Sequence, residues 1–198
     1  MRVALVDAGG ANLGSVRYAL ERLGIAPEIV RDPEALARAD RIILPGVGAA
    51  APAMAALRAQ GLDRALHAAT APVLGICLGM QLLYEGSDES DTACLGLLPG
   101  RVRRLPATPG LRIPHMGWNA LADVADTPLL RGIANGDCVY FVHGYAAPVG
   151  DDTVASARHG DAFSAVVSRG LYCGAQFHPE RSANAGARLL ENFIRWDS

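Results

Sequence analysis

The sequence contains no lysine; arginine supplies all eighteen basic charges. Covalent chemistry through a lysine amine is thereby excluded, because a guanidinium never yields the neutral amine that forms a Schiff base. The abundance of Ala and Arg reads as a coding bias rather than as a functional signal. No apolar run approaches the ~20 residues that cross a membrane. The opening stretch MRVALVDAGG is a short apolar segment followed by glycines, without the long apolar region and small-residue cleavage site of a secretory signal. Charge of one sign is nowhere concentrated, and twenty acidic residues against eighteen basic ones leave a net charge of -2. A nucleic-acid interface has no electrostatic footprint here. The four cysteines, Cys77, Cys94, Cys138 and Cys173, show neither C-x-x-C nor metal-ligand spacing. Free thiols in a reducing cytoplasm are expected, with no metal, no cofactor, no membrane and no nucleic acid involved.

What is present is a large apolar fraction, 51% of 198 residues, enough for a buried core without staples. The length suits one domain, residues 1–198. In the first half, short apolar runs alternate with helical periodicity. Strands are expected at 3–7, 27–30, 41–44 and 72–76. Helices are expected at 13–23 (closed by Gly24), 33–38, roughly 50–69 with a break near Gly61, and 78–84. Gly9-Gly10 marks a tight loop after the first strand. This alternation predicts an α/β fold, a mainly parallel central sheet with helices on both faces. In the second half, apolar runs near 101–105, 112–118, 138–142, 153–157, 163–168 and 171–177 are separated by Gly, Pro and Asp. They read as an added antiparallel strand segment before a last helix over about 182–196.

Gly75-Ile76-Cys77-Leu78-Gly79 has the form G-x-C-x-G between a strand and a helix start, the cysteine version of a nucleophile elbow. A turn this tight needs small flanking residues, which glycine provides. It would hold the Cys77 sulfur above the sheet at a helix N-terminus, where thiolate is favoured over thiol. The Leu78 N–H would point at the oxyanion of a tetrahedral intermediate. The plainer alternative is a buried structural cysteine in a Gly-rich turn.

A thiol nucleophile needs a base and an orienter for that base. His178 and Glu180, in GAQFHPE (174–180), are two residues apart at the end of an apolar run. In extended backbone their side chains would share a side, and Pro179 disfavours helix between them. A surface His-Pro-Glu turn is the alternative. Of the other histidines, His67 is expected to be exposed on a helix and His159 to lie in a turn. Pro45-Gly46-Val47-Gly48 follows the strand RIIL, at the edge where parallel sheets bind ligands. Its backbone, the N–H of Val47 above all, suits a second oxyanion donor. Lacking Lys and Ser/Thr, it is a poor phosphate loop.

Together the segments PGVGA (45–49), GICLGMQLL (75–83), LGLLPGRV (95–102), IPHMGWN (113–119), YFVHGY (140–145) and GAQFHPERS (174–182) resemble the class I, triad-type glutamine amidotransferases. The IPHMGWN and YFVH segments narrow the resemblance to the glutaminase subunits of imidazole glycerol phosphate synthase. The fold implied is flavodoxin-like. The resemblance implies that Cys77 attacks the glutamine side-chain amide, that His178 is general acid and base, and that Glu180 orients His178. It places Val47 and Leu78 at the oxyanion, and Gly46, Gly48, Gln81, His143, Gly144 and Tyr145 around glutamine. Asn12, His115, Met116, Trp118, Asn119 and Arg181 are implied at a partner interface. That partner is a (β/α)8-barrel cyclase subunit, joined as a heterodimer. It would use the ammonia to make imidazole glycerol phosphate and aminoimidazole carboxamide ribotide in histidine biosynthesis.

Departures from the family pattern are Gly144 where Ser or Thr is common, Ala146 and Ala147 where larger side chains are frequent, Ala50 where Phe is usual, and Arg181 where Lys is familiar. Gly144 weakens the case for a hydroxyl contact to glutamine. The competing readings keep the fold. They are the glutaminase subunit of another ammonia-channelling synthase, such as those making pyridoxal phosphate or anthranilate, a stand-alone γ-glutamyl hydrolase or cysteine peptidase, and a non-catalytic binding protein.

Overall fold

The computed structural model describes residues 1–9, 12–107 and 109–196; Gly10, half of the expected Gly9-Gly10 loop, lies outside them. The elements run β1 (Val3–Val6), α1 (Leu13–Arg22), β2 (Glu28–Val30), α2 (Pro33–Ala37), β3 (Arg41–Gly46), α3 (Ala50–Ala59), α4 (Leu62–His67), β4 (Val73–Cys77) and α5 (Leu78–Leu82). They continue with β5 (Tyr84–Ser87), β6 (Thr92–Ala93), β7 (Leu98–Arg104), β8 (His115–Ala120), β9 (Cys138–His143), β10 (Tyr145–Ala146), β11 (Thr153–His159), β12 (Asp161–Arg169), β13 (Tyr172–Ala175) and α6 (Ala183–Ile194).

The main sheet has seven strands in the order β11-β12-β13-β4-β3-β1-β2. The run from β13 to β2 is parallel throughout, and β12 and β11 extend it antiparallel. Successive side chains on a strand face opposite ways, so a central strand buries both faces. In β1, Val3 and Leu5 pack with Leu20 of α1 and Phe193 of α6. Ala4 and Val6 pack on the other side with Leu36 of α2, Met54 of α3 and Leu66 of α4.

The structure departs from the expected elements in the middle of the chain. The helix beginning at Leu78 stops at Leu82 rather than 84, because the carbonyls of Leu82 and Leu83 accept hydrogen bonds from Leu95, Leu97 and Leu98 instead of continuing the helix. The chain is thereby drawn into a second sheet, β10-β7-β5-β6, in which β5 and β7 are parallel. The run expected at 171–177 becomes β13, the junction strand of the main sheet, parallel to β4 on one side and antiparallel to β12 on the other. β8 and β9 form a separate antiparallel hairpin.

This order decides where chemistry is concentrated. β13, β4 and β3 are neighbours, about 4.8 Å apart as parallel strands are. Their carboxyl ends deliver the segment holding His178, then Cys77, then the Gly46–Gly48 loop. Gly46 pairs directly with Cys77, and Ala175 with Ile76. Residues a hundred positions apart in sequence meet because three strands end side by side.

Candidate functional site

At Cys77 the backbone takes φ 54° and ψ -111°, a left-handed, strained conformation for a residue with a Cβ. It follows from turning a strand into a helix within one residue. The flanking glycines are required by contact as well as by conformation. A Cβ on Gly79 would lie 1.8 Å from the Leu44 carbonyl oxygen, and one on Gly75 would lie 2.6 Å from Met80 Cα. A Cβ on Gly46 would come within 2.8 Å of the Gly79 nitrogen. Helix α5 is only five residues long, so its dipole contributes less at the sulfur than a long helix would. The larger positive group nearby is the His178 ring.

His178 is 6% exposed, and its Nδ1 lies 2.8 Å from Glu180 Oε1. The pairing does not arise as expected. β13 ends at Ala175, and Pro179–Arg181 form a 3-10 turn that folds Glu180 back onto the ring. Burial alone would lower the proton affinity of His178. The hydrogen bond to Glu180 and the nearby Cys77 sulfur, with the charge of both groups, outweigh it and push the pKa up to about 10. Burial likewise works to raise the Glu180 carboxyl, yet His178 and Asn12 hold it below the usual carboxylate range. The Asn12 amide donates to Glu180 Oε1 at 2.7 Å. Asn12 therefore reaches the carboxylate itself, a contact for which the sequence offers no local signal.

The sign of the His178 shift fixes a pH dependence. A group held above its ordinary value of 6.5 stabilises the fold fully below that pH, and the contribution is lost as pH rises through about 10. Melting temperature is expected to fall over that upper range. In Cys77→Ala the imidazolium loses two of the influences that raise it. The NMR titration midpoint of His178 is therefore expected to move down; an unchanged midpoint would mean that ring and sulfur do not interact.

Cys77 and His178 open onto one cavity of about 380 Å³, lined also by Val47, Gly48, Leu78, Gln81, Glu89, Val142, His143, Gly144 and Tyr145. Of the residues expected around glutamine, only Gly46 does not line it; its role is to let β3 pack against the elbow. Gln81 has both amide protons committed, to the Tyr145 carbonyl at 2.8 Å and to Gln176 Oε1 at 3.0 Å. It has only its oxygen left to offer a ligand. At Gly144 a Cβ would meet nothing nearer than Ile113 Cγ2 at 3.9 Å, so the missing hydroxyl reflects no shortage of space.

Glu89, which the sequence did not single out, is the one acidic side chain lining the cavity among the described residues. One of its carboxylate oxygens accepts from the Ala50 N–H at 2.7 Å, at the start of α3. A Glu in a polar turn looks like a solvated charge until the second sheet carries that turn to the mouth of the cavity.

The histidines outside the pair behave differently. His143 is buried. Burial drives its pKa down to about 3, and the bond to the Tyr145 carbonyl only partly offsets this. A carbonyl only accepts, so His143 Nδ1 carries the proton and its Nε2 accepts from His115 Nδ1 at 3.0 Å. His115 is neutral too, lowered to about 4 by burial and then by His159. Its Nε2 faces the Asn119 amide at 3.3 Å, and its ring stacks between Phe141 and His159. His159 thus ends strand β11, half-buried, with its ring stacked on His115, rather than sitting in a turn.

At 5% exposure the His115 side chain is a core group beneath the β8–β9 surface. Asn119 is half-buried, with its amide donating to the Arg158 carbonyl at 2.8 Å. Met116 and Trp118 are exposed, at 64% and 55%. They stand across the hairpin from Val142 and Tyr140, and the Arg181 guanidinium lies over the Tyr140 ring. One face of β8–β9 is therefore apolar and exposed, and it runs up to the cavity wall at Val142.

Among the described residues no group of acidic, His and Cys side chains is arranged to hold a metal, and no helix is long and apolar enough to cross a membrane.

The sequence matches the glutamine amidotransferase class-I family over residues 4–196. It is 62% identical over 192 residues to the imidazole glycerol phosphate synthase subunit HisH of Xanthomonas campestris pv. campestris (strain 8004), covering 97% of this chain and 96% of that protein. The HisH subunit of Xylella fastidiosa (strain Temecula1) is 58% identical over 196 residues, covering 99% and 98%. Among solved structures, a crystal structure of a glutamine amidotransferase superposes with a TM-score of 0.76 at 23% identity, covering 98% of each chain. PurLQS from Thermotoga maritima gives 0.72 at 22% identity, covering 98% of this chain and 97% of that one. These two likenesses bear on the fold alone.

Proposed function

The chain belongs to the class-I glutamine amidotransferase family, and from that premise we propose that it is the glutaminase subunit of imidazole glycerol phosphate synthase, acting as a single domain. The observation that carries the reading is the strained Cys77 facing, across one cavity, a His178 ring whose Nδ1 is held by Glu180 at 2.8 Å.

The chemistry follows from these groups. The Cys77 thiolate attacks the side-chain amide carbon of glutamine, and the C–S bond forms as the carbonyl π pair moves to oxygen. The resulting oxyanion is taken by the backbone N–H groups of Val47 and Leu78. His178, already protonated, gives its proton to the amide nitrogen, and ammonia leaves with a γ-glutamyl thioester behind it. The neutral ring then removes a proton from water, which attacks the thioester. Collapse releases glutamate and returns the sulfur as thiolate beside the imidazolium. Glu180 keeps Nδ1 protonated, so that the other ring nitrogen does the proton transfer. Asn12 fixes Glu180. The α-ammonium of glutamine needs an acceptor, which Glu89 and the Gln81 oxygen supply at the cavity wall.

Ammonia passes to a (β/α)8 cyclase subunit, which closes the imidazole ring of imidazole glycerol phosphate and leaves aminoimidazole carboxamide ribotide. The partner docks on the β8–β9 face, with Met116, Trp118 and Arg181 at the contact; His115 and Asn119 support that face from beneath. The test is glutamate release from glutamine by the purified chain, with and without the cyclase subunit and its nucleotide. Slow release alone and faster release in the complex are expected. Equal rates would remove the partner from the account.

Glu180→Gln is expected to fold normally, because the amide oxygen can still accept from Nδ1. It removes the charge that holds the imidazolium, and glutaminase turnover should fall by about 10²–10⁴-fold. The cost is below that of losing the nucleophile, because the thiolate still faces the ring. Steady-state kinetics decide it; an undiminished rate would make Glu180 a packing residue.

A further inference from the structure

We propose that Gln176 is a further catalytic residue, a fixed hydrogen-bond donor to the Cys77 sulfur that also ties the nucleophile to the wall of the substrate cavity. Its side chain is completely buried, 0% exposed. Its Nε2 lies 3.8 Å from Cys77 Sγ, and its Oε1 accepts from Gln81 Nε2 at 3.0 Å.

The direction of this chain of bonds is set from one end. The Tyr145 carbonyl can only accept, so it takes an amide proton of Gln81 at 2.8 Å and fixes which way the Gln81 amide lies. Gln81 then presents its second proton to Gln176, which must answer with its oxygen. The opposite orientation would set two NH2 groups against each other. The NH2 of Gln176 is left aimed at sulfur. On its other side the sulfur faces the Val142 carbonyl at 3.7 Å. A thiol donates to that carbonyl, whereas a thiolate is repelled by it and held by Gln176 and the imidazolium. Gln176 thus favours the reactive form of the sulfur. Through Gln81, whose oxygen remains for ligand, the same amide links an occupied cavity to the nucleophile.

The inference rests on Cys77 being the nucleophile, yet its test needs no glutamine. Alkylation of Cys77 by iodoacetamide, in which sulfur displaces iodide, is followed from pH 5 to 10. The Cys77 peptide is quantified by mass spectrometry, because Cys138 is exposed and would be alkylated as well. Gln176→Met keeps the volume and removes the donor. Gln176→Glu keeps the shape and puts a carboxylate oxygen against the sulfur. Both variants should raise the midpoint of the alkylation profile and slow alkylation at pH 7, about threefold to tenfold for Met and more for Glu. A purely structural role would lower melting temperature without moving the midpoint. Superimposable profiles for the parent and both variants would overturn the proposal while leaving the glutaminase reading intact. If Met does not fold, the Glu profile alone decides. Failure of the parent to release glutamate would sink the glutaminase reading and leave the alkylation result standing on its own.

Discussion

Cys77→Ala is expected to lower glutamate release at least about 10⁴-fold, since removing the nucleophile of a concerted set costs nearly all of its rate enhancement. The substitution is mild for the fold. Cys77 is 6% exposed and packs with Ile76, Phe141 and Phe177, and alanine keeps its Cβ in that cluster. The positive φ at Cys77 remains as costly as before, so no large gain or loss of stability should accompany the change. Cyclase binding should be retained, because the β8–β9 face is built from other side chains. Ordinary turnover by this variant would show that another group attacks the amide; loss of both turnover and cyclase binding would show that the site and the docking face are not separable.

The second large effect belongs to a residue with no functional group. Gly79→Ala is expected to destabilise the chain by about 3 kcal/mol, the upper end for overpacking. The added methyl would sit 1.8 Å from the Leu44 carbonyl oxygen, a backbone atom held in the parallel ladder between β3 and β4. Relief requires α5 to lift from the sheet, which takes the Leu78 N–H away from the oxyanion position. Activity should fall along with stability. Gly14→Ala is the control. Gly14 lies inside α1 with nothing within 4 Å of a Cβ, so alanine there should raise stability by about 0.5–1 kcal/mol. Chemical denaturation of both variants tests this, and similar midpoints for the two would mean that the elbow tolerates a side chain.

Cys77 could be found from sequence because its constraints are local. Two glycines two positions away, a strand before and a helix after are all needed within five residues. His178 and Glu180 were legible as a pair for the same reason, although a 3-10 turn rather than extended backbone brings them together. β5 and β6 were not legible. YEGS has no apolar period, and its strand character comes from pairing with β7, more than ten residues on. Glu89 was missed with them, because that pairing is what places it. The inward direction of His115 was not legible, since a motif shared with relatives says that a position matters but not which way its side chain points. Partnership with His143, Asn119 and a stacked His159 turns it inward. Gln176 sits in the same short segment as His178 and carries no signal of its own until the direction of the Tyr145–Gln81 bonds is known.

The sharpest test is the covalent state of Cys77 during turnover. Glutamine is mixed with the chain and the proposed cyclase subunit, the reaction is quenched in acid within the first turnovers, and peptides are weighed. The peptide carrying Cys77 is expected to gain the mass of glutamine less ammonia, and the corresponding peptide of Cys77→Ala to gain nothing. Glutamate accumulating while Cys77 stays unmodified, or an adduct on a different residue, would contradict it.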